Sequence, residues 1–180
     1  MKEKIFSTDN GKKFNLTLDA GYCMAMCLDL AKVILTRVAK GRRADGVSIG
    51  ELEPGKWAIV QSAYLINSDM DRNKLISAQG LAVSATIPDT AVDAGDFGPP
   101  TRAVTGLAGT TVFSIFGPGA AHALLWHRDD AGKQFLYLDP NEGLWRFTTV
   151  GEARQHMEAD LDGNYADLDE AYRASTVELG

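Results

Sequence analysis

Three side chains suited to nucleophilic chemistry stand far apart in this chain: Cys23 in "GYCMAMC", His122 in "AAHALLW" and Asp139 in "FLYLDPNEG". A carboxylate that holds an imidazole in one tautomer leaves the other ring nitrogen free as a base, and a thiol within its reach becomes a thiolate nucleophile. The turn after Asp139 accounts for Pro140, Asn141 and Gly143, because proline presets one backbone angle while asparagine and glycine tolerate unusual ones. It does not require Asp139. Cys23 follows Gly21 at the start of a predicted helix, where unpaired N–H groups and the positive dipole end favour a thiolate and can line an oxyanion hole.

Bringing these residues together takes a helix and a sheet. The spacing predicts a buried central helix over residues 21–40, with Asp19 as cap, Gly41 as stop and an apolar stripe of Cys23, Met26, Cys27, Leu30, Ile34 and Val38. Lys40-Gly41-Arg42-Arg43 reads as its C-terminus. Residues 45–55 are polar, 57–66 fit either a helix or a strand, and "SDMDRNKLISAQGLAV" reads as a second helix opened by Ser68 or Asp69. Pro88, Pro99, Pro100 and several glycines make residues 88–110 a long loop, a feature often tied to function. From 110 to 148 the period changes to short aromatic and β-branched runs, the pattern of an antiparallel meander. A helix over 149–161 follows, with Thr148 or Thr149 as cap and Glu152 placed for a capping box. The acidic last dozen residues read as peripheral.

If the hairpin joining "AAHALLWHR" to "KQFLYLD" turns symmetrically about Asp130-Ala131, His122 faces Asp139 directly, with Cβ atoms roughly 5 Å apart on one face. Alternation sends His127 to the other face, so His122 alone meets the aspartate. A loop of odd length would break the pair. The same register pairs Trp126 with Phe135, which are expected to pack on the helix.

These three islands, in this order and spacing, resemble the papain-like cysteine proteases of the YopT/AvrPphB type, whose motifs run Gly-x-Cys, His, Asp-Pro-Asn. The resemblance implies an α+β papain-like domain over residues 1–180. Its helical part covers about 20–87, its loop 88–110, its meander 110–148 and its last helix about 149–161. It implies Cys23 as nucleophile, His122 as general base and Asp139 as its orienting partner. In papain-like enzymes a Gln or Asn a few residues before the nucleophile donates to the oxyanion. Here Leu16, Thr17, Leu18 and Asp19 stand nearby, and Asn15 is the nearest amide and a weak candidate for that role. The family is known as bacterial effectors, secreted by specialised systems, that cleave host proteins. The resemblance therefore implies a virulence effector with a protein or peptide substrate, and leaves room for an inhibitor or immunity protein as partner. Deamidases and acyltransferases use the same triad. A non-catalytic binding module on a protease-like scaffold also stays open, because the upstream amide is missing.

Composition bounds the rest. With 180 residues and 45 % hydrophobic content the chain suits one domain, and a net charge of -6 argues against a nucleic-acid partner. The N-terminus has no apolar signal-peptide core and no run reaches the roughly 20 apolar residues of a membrane span, so synthesis in the cytoplasm and no membrane partner are expected. Cys23 and Cys27, four apart, are expected as free thiols, with Cys27 packing one turn deeper. His127 and His156 read as surface or partner residues. Zinc on Cys23, Cys27, His122 and Asp139 lacks a second close-spaced ligand pair, and the glycine-rich stretch 95–119 lacks a Walker lysine, so neither a metal nor a cofactor is expected.

Overall fold

A computed structural model describes residues 1–9, 22–66, 72–93 and 95–180. In chain order its elements are β1 (Glu3–Phe6), α1 (Cys23–Ala39), α2 (Pro54–Ile66), α3 (Arg72–Ala78), β2 (Leu81–Ala91), α4 (Gly98–Gly106), β3 (Gly109–Gly117), β4 (Ala120–Asp129), β5 (Gln134–Asp139), β6 (Gly143–Phe147), α5 (Val150–Asn164) and β7 (Ala171–Leu179). Two single-turn 3-10 helices, Ala44–Gly46 and Ile49–Glu51, link α1 to α2. The strands make one seven-stranded antiparallel sheet in the order β1-β6-β5-β4-β3-β7-β2.

Strand alternation gives this sheet two apolar faces. Ala123, Leu125, Leu136 and Leu138 pack with Met26, Cys27, Leu30 and Ile34 of α1. The intervening residues Leu124, Trp126, Phe135 and Tyr137 pack with Val104 of α4 and with Met157 and Leu161 of α5. Helix α1 is the buried central helix that its stripe predicts, and of that stripe only Val38, in its last turn, is exposed, at 43 %. Fully burying a side chain such as Leu30 or Ile34 stabilises by about 1.5–3 kcal/mol, so the helix is held by tertiary packing and not by caps. Gly41, at φ 68, turns the chain out of the helix as expected.

Several expectations change. The second predicted helix stops at Ala78, where Gln79 and Gly80 (φ 73) turn the chain into β2, so Leu81–Val83 are strand. The proposed openers Ser68 and Asp69, like the cap Asp19, Gly21 and Asn15, lie outside the described residues. The stretch 57–66 is helix, in α2. Residues 88–110 are not one loop: β2 runs to Ala91, α4 occupies Gly98–Gly106, and β3 begins at Gly109. The prolines that suggested a loop fit these elements. Pro99 and Pro100 sit in the first turn of α4, where amides lack helical partners anyway, and Pro88 lies on an edge strand. The acidic C-terminus is not peripheral either, because β7 lies inside the sheet between β3 and β2 and buries Tyr172, Ala174 and Val177. Helix α5 starts as predicted, with Thr149 Oγ1 accepting from the Glu152 amide at 3.1 Å and Glu152 accepting from the Thr148 amide at 3.2 Å.

Candidate active site

The hairpin of β4 and β5 sets the distance between His122 and Asp139, and its register differs from the one expected. The pairs are Leu125 with Leu138, Trp126 with Tyr137 and Asp129 with Gln134, joined by a four-residue loop in which Lys133 takes φ 50. The Asp129 carboxylate holds that loop by accepting from the Gly132 amide at 2.9 Å. Strand β5 is thus shifted by two residues against the symmetric prediction. His122 and Asp139 are diagonal neighbours, not direct ones, but an even shift keeps them on one face. Trp126 and Phe135 are likewise diagonal, their rings stacked with centroids 6.4 Å apart, and they pack under α4 and α5 on the face opposite α1.

Asp139 is completely buried, and three described donors hold it, with the Asp160 carboxyl nearby pushed up to about 6 by burial and by the Asp139 charge. His122 Nε2 lies 2.9 Å from Oδ1. The Asn141 amide donates to the same oxygen at 2.9 Å, closing an Asx turn through Pro140. The Tyr165 hydroxyl, from the C-terminus of α5, reaches Oδ1 at 2.9 Å and Oδ2 at 2.8 Å. Beyond the turn, Thr8 Oγ1 donates to the Pro140 carbonyl at 2.6 Å, tying the segment after β1 to it. Gly143 is needed there at φ 135, because any Cβ would run into the Phe6 carbonyl oxygen. Burial pushes the Asp139 carboxyl up, but the His122, Asn141 and Tyr165 hydrogen bonds and the His122 charge outweigh it and hold its pKa below the ordinary carboxylate value.

Cys23 reaches His122 from α1. With Nε2 engaged by Asp139, Nδ1 is the ring nitrogen left for the thiol. Burial raises the Cys23 pKa, yet the hydrogen bond to His122, its charge and the amides of Ala123 and Met24 leave it lowered on balance. Burial works to lower the His122 pKa, but the hydrogen bonds to Asp139 and Cys23 raise it to about 9. The two shifts agree: this environment favours a thiolate beside an imidazolium. Cys27, fully buried one turn on, goes the other way, with burial pushing its thiol well up.

The first turn of α1 carries no side-chain cap of its own. The Met26 amide donates to the Tyr22 carbonyl at 2.9 Å, and the Ala25 amide donates to the buried Gln61 Oε1 of α2 at 3.2 Å. Neither Gln61 nor Tyr165 was singled out by sequence. Gln61 stands in a stretch ambiguous between helix and strand, and Tyr165 lies 26 residues from Asp139, with no motif around it.

His127 is not a surface residue, and His156 is half-buried, with Nδ1 3.2 Å from Lys2 Nζ. His127 is buried beside Thr110, with Nδ1 2.9 Å from Oγ1, and burial lowers its pKa to about 4. His156 is packed among Tyr137, Trp145 and Phe147, and burial, with Lys2 adding to it, lowers its pKa to about 4. Among the described residues no cluster of three or more His, Cys, Asp or Glu side chains is arranged to hold a metal ion, and no helix is long and apolar enough to cross a membrane.

A buried helix that opens on a cysteine and packs against an antiparallel sheet bearing a His–Asp pair defines the papain-like α+β fold. No family model matches the sequence, and no curated protein matches it. Among solved structures, the crystal structure of the Pseudomonas avirulence protein AvrPphB matches with a TM-score of 0.61, over 95 % of this chain and 94 % of that one, at 16 % sequence identity. At that identity the likeness establishes a shared fold.

Proposed function

We propose that this chain is a thiol-dependent peptidase in which Cys23 is the nucleophile, His122 the proton carrier and Asp139 the group that fixes the imidazole. The observation that carries this reading is the 2.9 Å hydrogen bond between His122 Nε2 and a fully buried Asp139, with the Cys23 thiol, its pKa lowered by His122, at the start of α1. The Cys23 thiolate attacks the carbonyl carbon of a peptide bond, forming a C–S bond and an oxyanion. The Cys23 amide, at the first residue of α1, is the backbone donor proposed for that oxyanion. Imidazolium Nδ1–H then protonates the leaving amine, the C–N bond breaks, and an acyl-thioester remains. Water, giving a proton to Nδ1, attacks the thioester and releases a carboxylic acid and the thiol. Asn15 is the side chain proposed to assist the oxyanion. The fold shared with an avirulence protein supports an effector that cleaves a protein substrate, with secretion by a specialised system as the route. Transfer to an amine or hydroxyl acceptor, or deamidation of a glutamine, would use the same Cys-His-Asp set, while a non-catalytic module would leave Cys23 unreactive.

The test is the pH-dependence of iodoacetamide labelling of Cys23, read by mass spectrometry, in the wild type and in His122→Ala. Selective labelling of Cys23 over Cys27, with an apparent pKa well under the free-thiol value of about 8.5 that is lost in the variant, supports the reading. Labelling that ignores His122 sinks it.

A further inference from the structure

Resting on that reading, we propose that Tyr165 is a fourth member of the site: a positioning residue on α5 that locks the His122 ring plane with its own ring and the Asp139 carboxylate with its hydroxyl. The two rings lie nearly parallel, with centroids 4.6 Å apart and an interplanar angle of 15°. The same side chain places its hydroxyl 2.8 and 2.9 Å from the two Asp139 oxygens and 3.1 Å from His122 Nε2. One phenol hydrogen serves the carboxylate, so the phenol oxygen is left as an acceptor. It takes a hydrogen bond from Asn141 Nδ2 at 2.7 Å and shares the Nε2–H of His122 with Asp139.

This arrangement differs from ordinary packing in three ways. It contacts both partners of the His–Asp pair at once, covering the ring on one side and keeping water from a carboxylate that is itself fully buried. It fixes one hydrogen direction: burial, together with the Asp139 charge, pushes the Tyr165 pKa far above the ordinary phenol value, so the hydroxyl remains a donor to Asp139 throughout the working range. And it gives the asparagine of Asp-Pro-Asn a use, because Asn141 aims the hydroxyl with its side chain while its amide holds the carboxylate. The residue that completes the pair is thereby delivered by a different element from either of its members, so docking of α5 on the sheet becomes a condition for a correctly oriented imidazole.

The experiment compares wild type, Tyr165→Phe, Tyr165→Leu and His122→Ala by iodoacetamide labelling of Cys23, by NMR titration of the His122 ring nitrogens, and by thermal unfolding to establish that each variant is folded. Phe keeps the stacked ring, so its labelling rate stays within about threefold of wild type. Its His122 titrates at or above the wild-type value, since the carboxylate charge is no longer shared with a phenol hydrogen. Leu removes both the ring and the hydroxyl: labelling falls roughly tenfold or more, and the titration moves down toward 6.5 as water reaches the pair. Recovery in Phe of what Leu loses distinguishes ring positioning from general packing. Folded Phe and Leu variants that both keep the wild-type titration and labelling overturn the proposal. If Leu does not fold, Tyr165→Met, which also lacks ring and hydroxyl, takes its place, and a folded Met variant that keeps the wild-type titration and labelling overturns the proposal. A His122→Ala variant that labels like wild type fails the Cys-His-Asp reading itself, whatever Tyr165 does.

Discussion

Asp139 closes a turn and holds a histidine at the same time, and the two tasks use the same oxygen. The Asn141 amide and His122 Nε2 both approach Oδ1 at 2.9 Å, so a turn opener and an orienting carboxylate are one arrangement and not competing explanations. Asp139→Asn separates them. The amide oxygen still accepts from Asn141, but the uncharged group no longer stabilises an imidazolium and can favour the wrong tautomer. For the wild type, NMR titration of His122 is expected to give a midpoint near the value of about 9 set by its Asp139 and Cys23 partners. In the variant that midpoint falls toward 6.5, and the proposed peptide hydrolysis is expected to fall by roughly 10²–10⁴-fold. Because the folded-state pKa is raised, the associated stability is fully present below 6.5 and is lost as pH rises through about 9. An Asn variant that titrates like wild type removes Asp139 from the site.

At the scale of elements, the site depends on the segment after β1 lying across the turn between β5 and β6. Thr8 bonds the Pro140 carbonyl, and the Phe6 carbonyl lies where a Cβ on Gly143 would be. Gly143→Ala must both adopt a φ of 135 that side-chain-bearing residues avoid and push β1 away. The strain alone is of order 1–3 kcal/mol. The expected result is a lower Tm together with slower Cys23 labelling, since Asp139 begins the displaced turn. A variant with a wild-type Tm would show that β1 gives way freely. Gly117 offers the comparison: a Cβ there meets the Asp167 carbonyl oxygen, yet its φ lies outside the left-handed range and the contact lies on β3, three strands from β6 at the same end of the sheet.

For the molecule as a whole, one sheet separates two apolar layers, and the candidate triad draws on both. Cys23 comes from the α1 layer, while His122 and Asp139 share the strand parity of the α5 layer. Each layer also carries a neutral histidine that makes folding sensitive to acid. His127 is 4 % exposed, and burial lowers its pKa from 6.5 to about 4. The unfolded chain therefore takes up a proton below 6.5 that the folded one refuses until about 4, and stability declines as pH falls through that window. At pH 5 this one group is worth about 2 kcal/mol. Urea unfolding of His127→Gln, compared with wild type at pH 7 and pH 5, should show a smaller loss on acidification even if the variant is less stable at both. Equal losses would mean that His127 is already charged in the folded protein.

Much of the candidate site was legible because it is local. Cys23 at a helix start, His122 in a strand and Asp139 before Pro-Asn are each defined by a few neighbouring residues, and two-residue periodicity put His122 and Asp139 on one face. The fold class followed from the same signals: a three-to-four spacing through α1 and short aromatic strands after it. Sequence misjudged what composition disguises. Pro99 and Pro100 look like a loop but open α4, and an acidic tail conceals β7 inside the sheet. The tertiary structure alone decided the diagonal register of β4 and β5, because the loop adopts a conformation anchored by Asp129 and Lys133 that residue types do not select uniquely. It also decided which distant groups finish the site. Gln61 and Tyr165 are brought in by the packing of α2 on α1 and of α5 on the sheet, and long-range packing leaves no periodic trace around a single polar side chain.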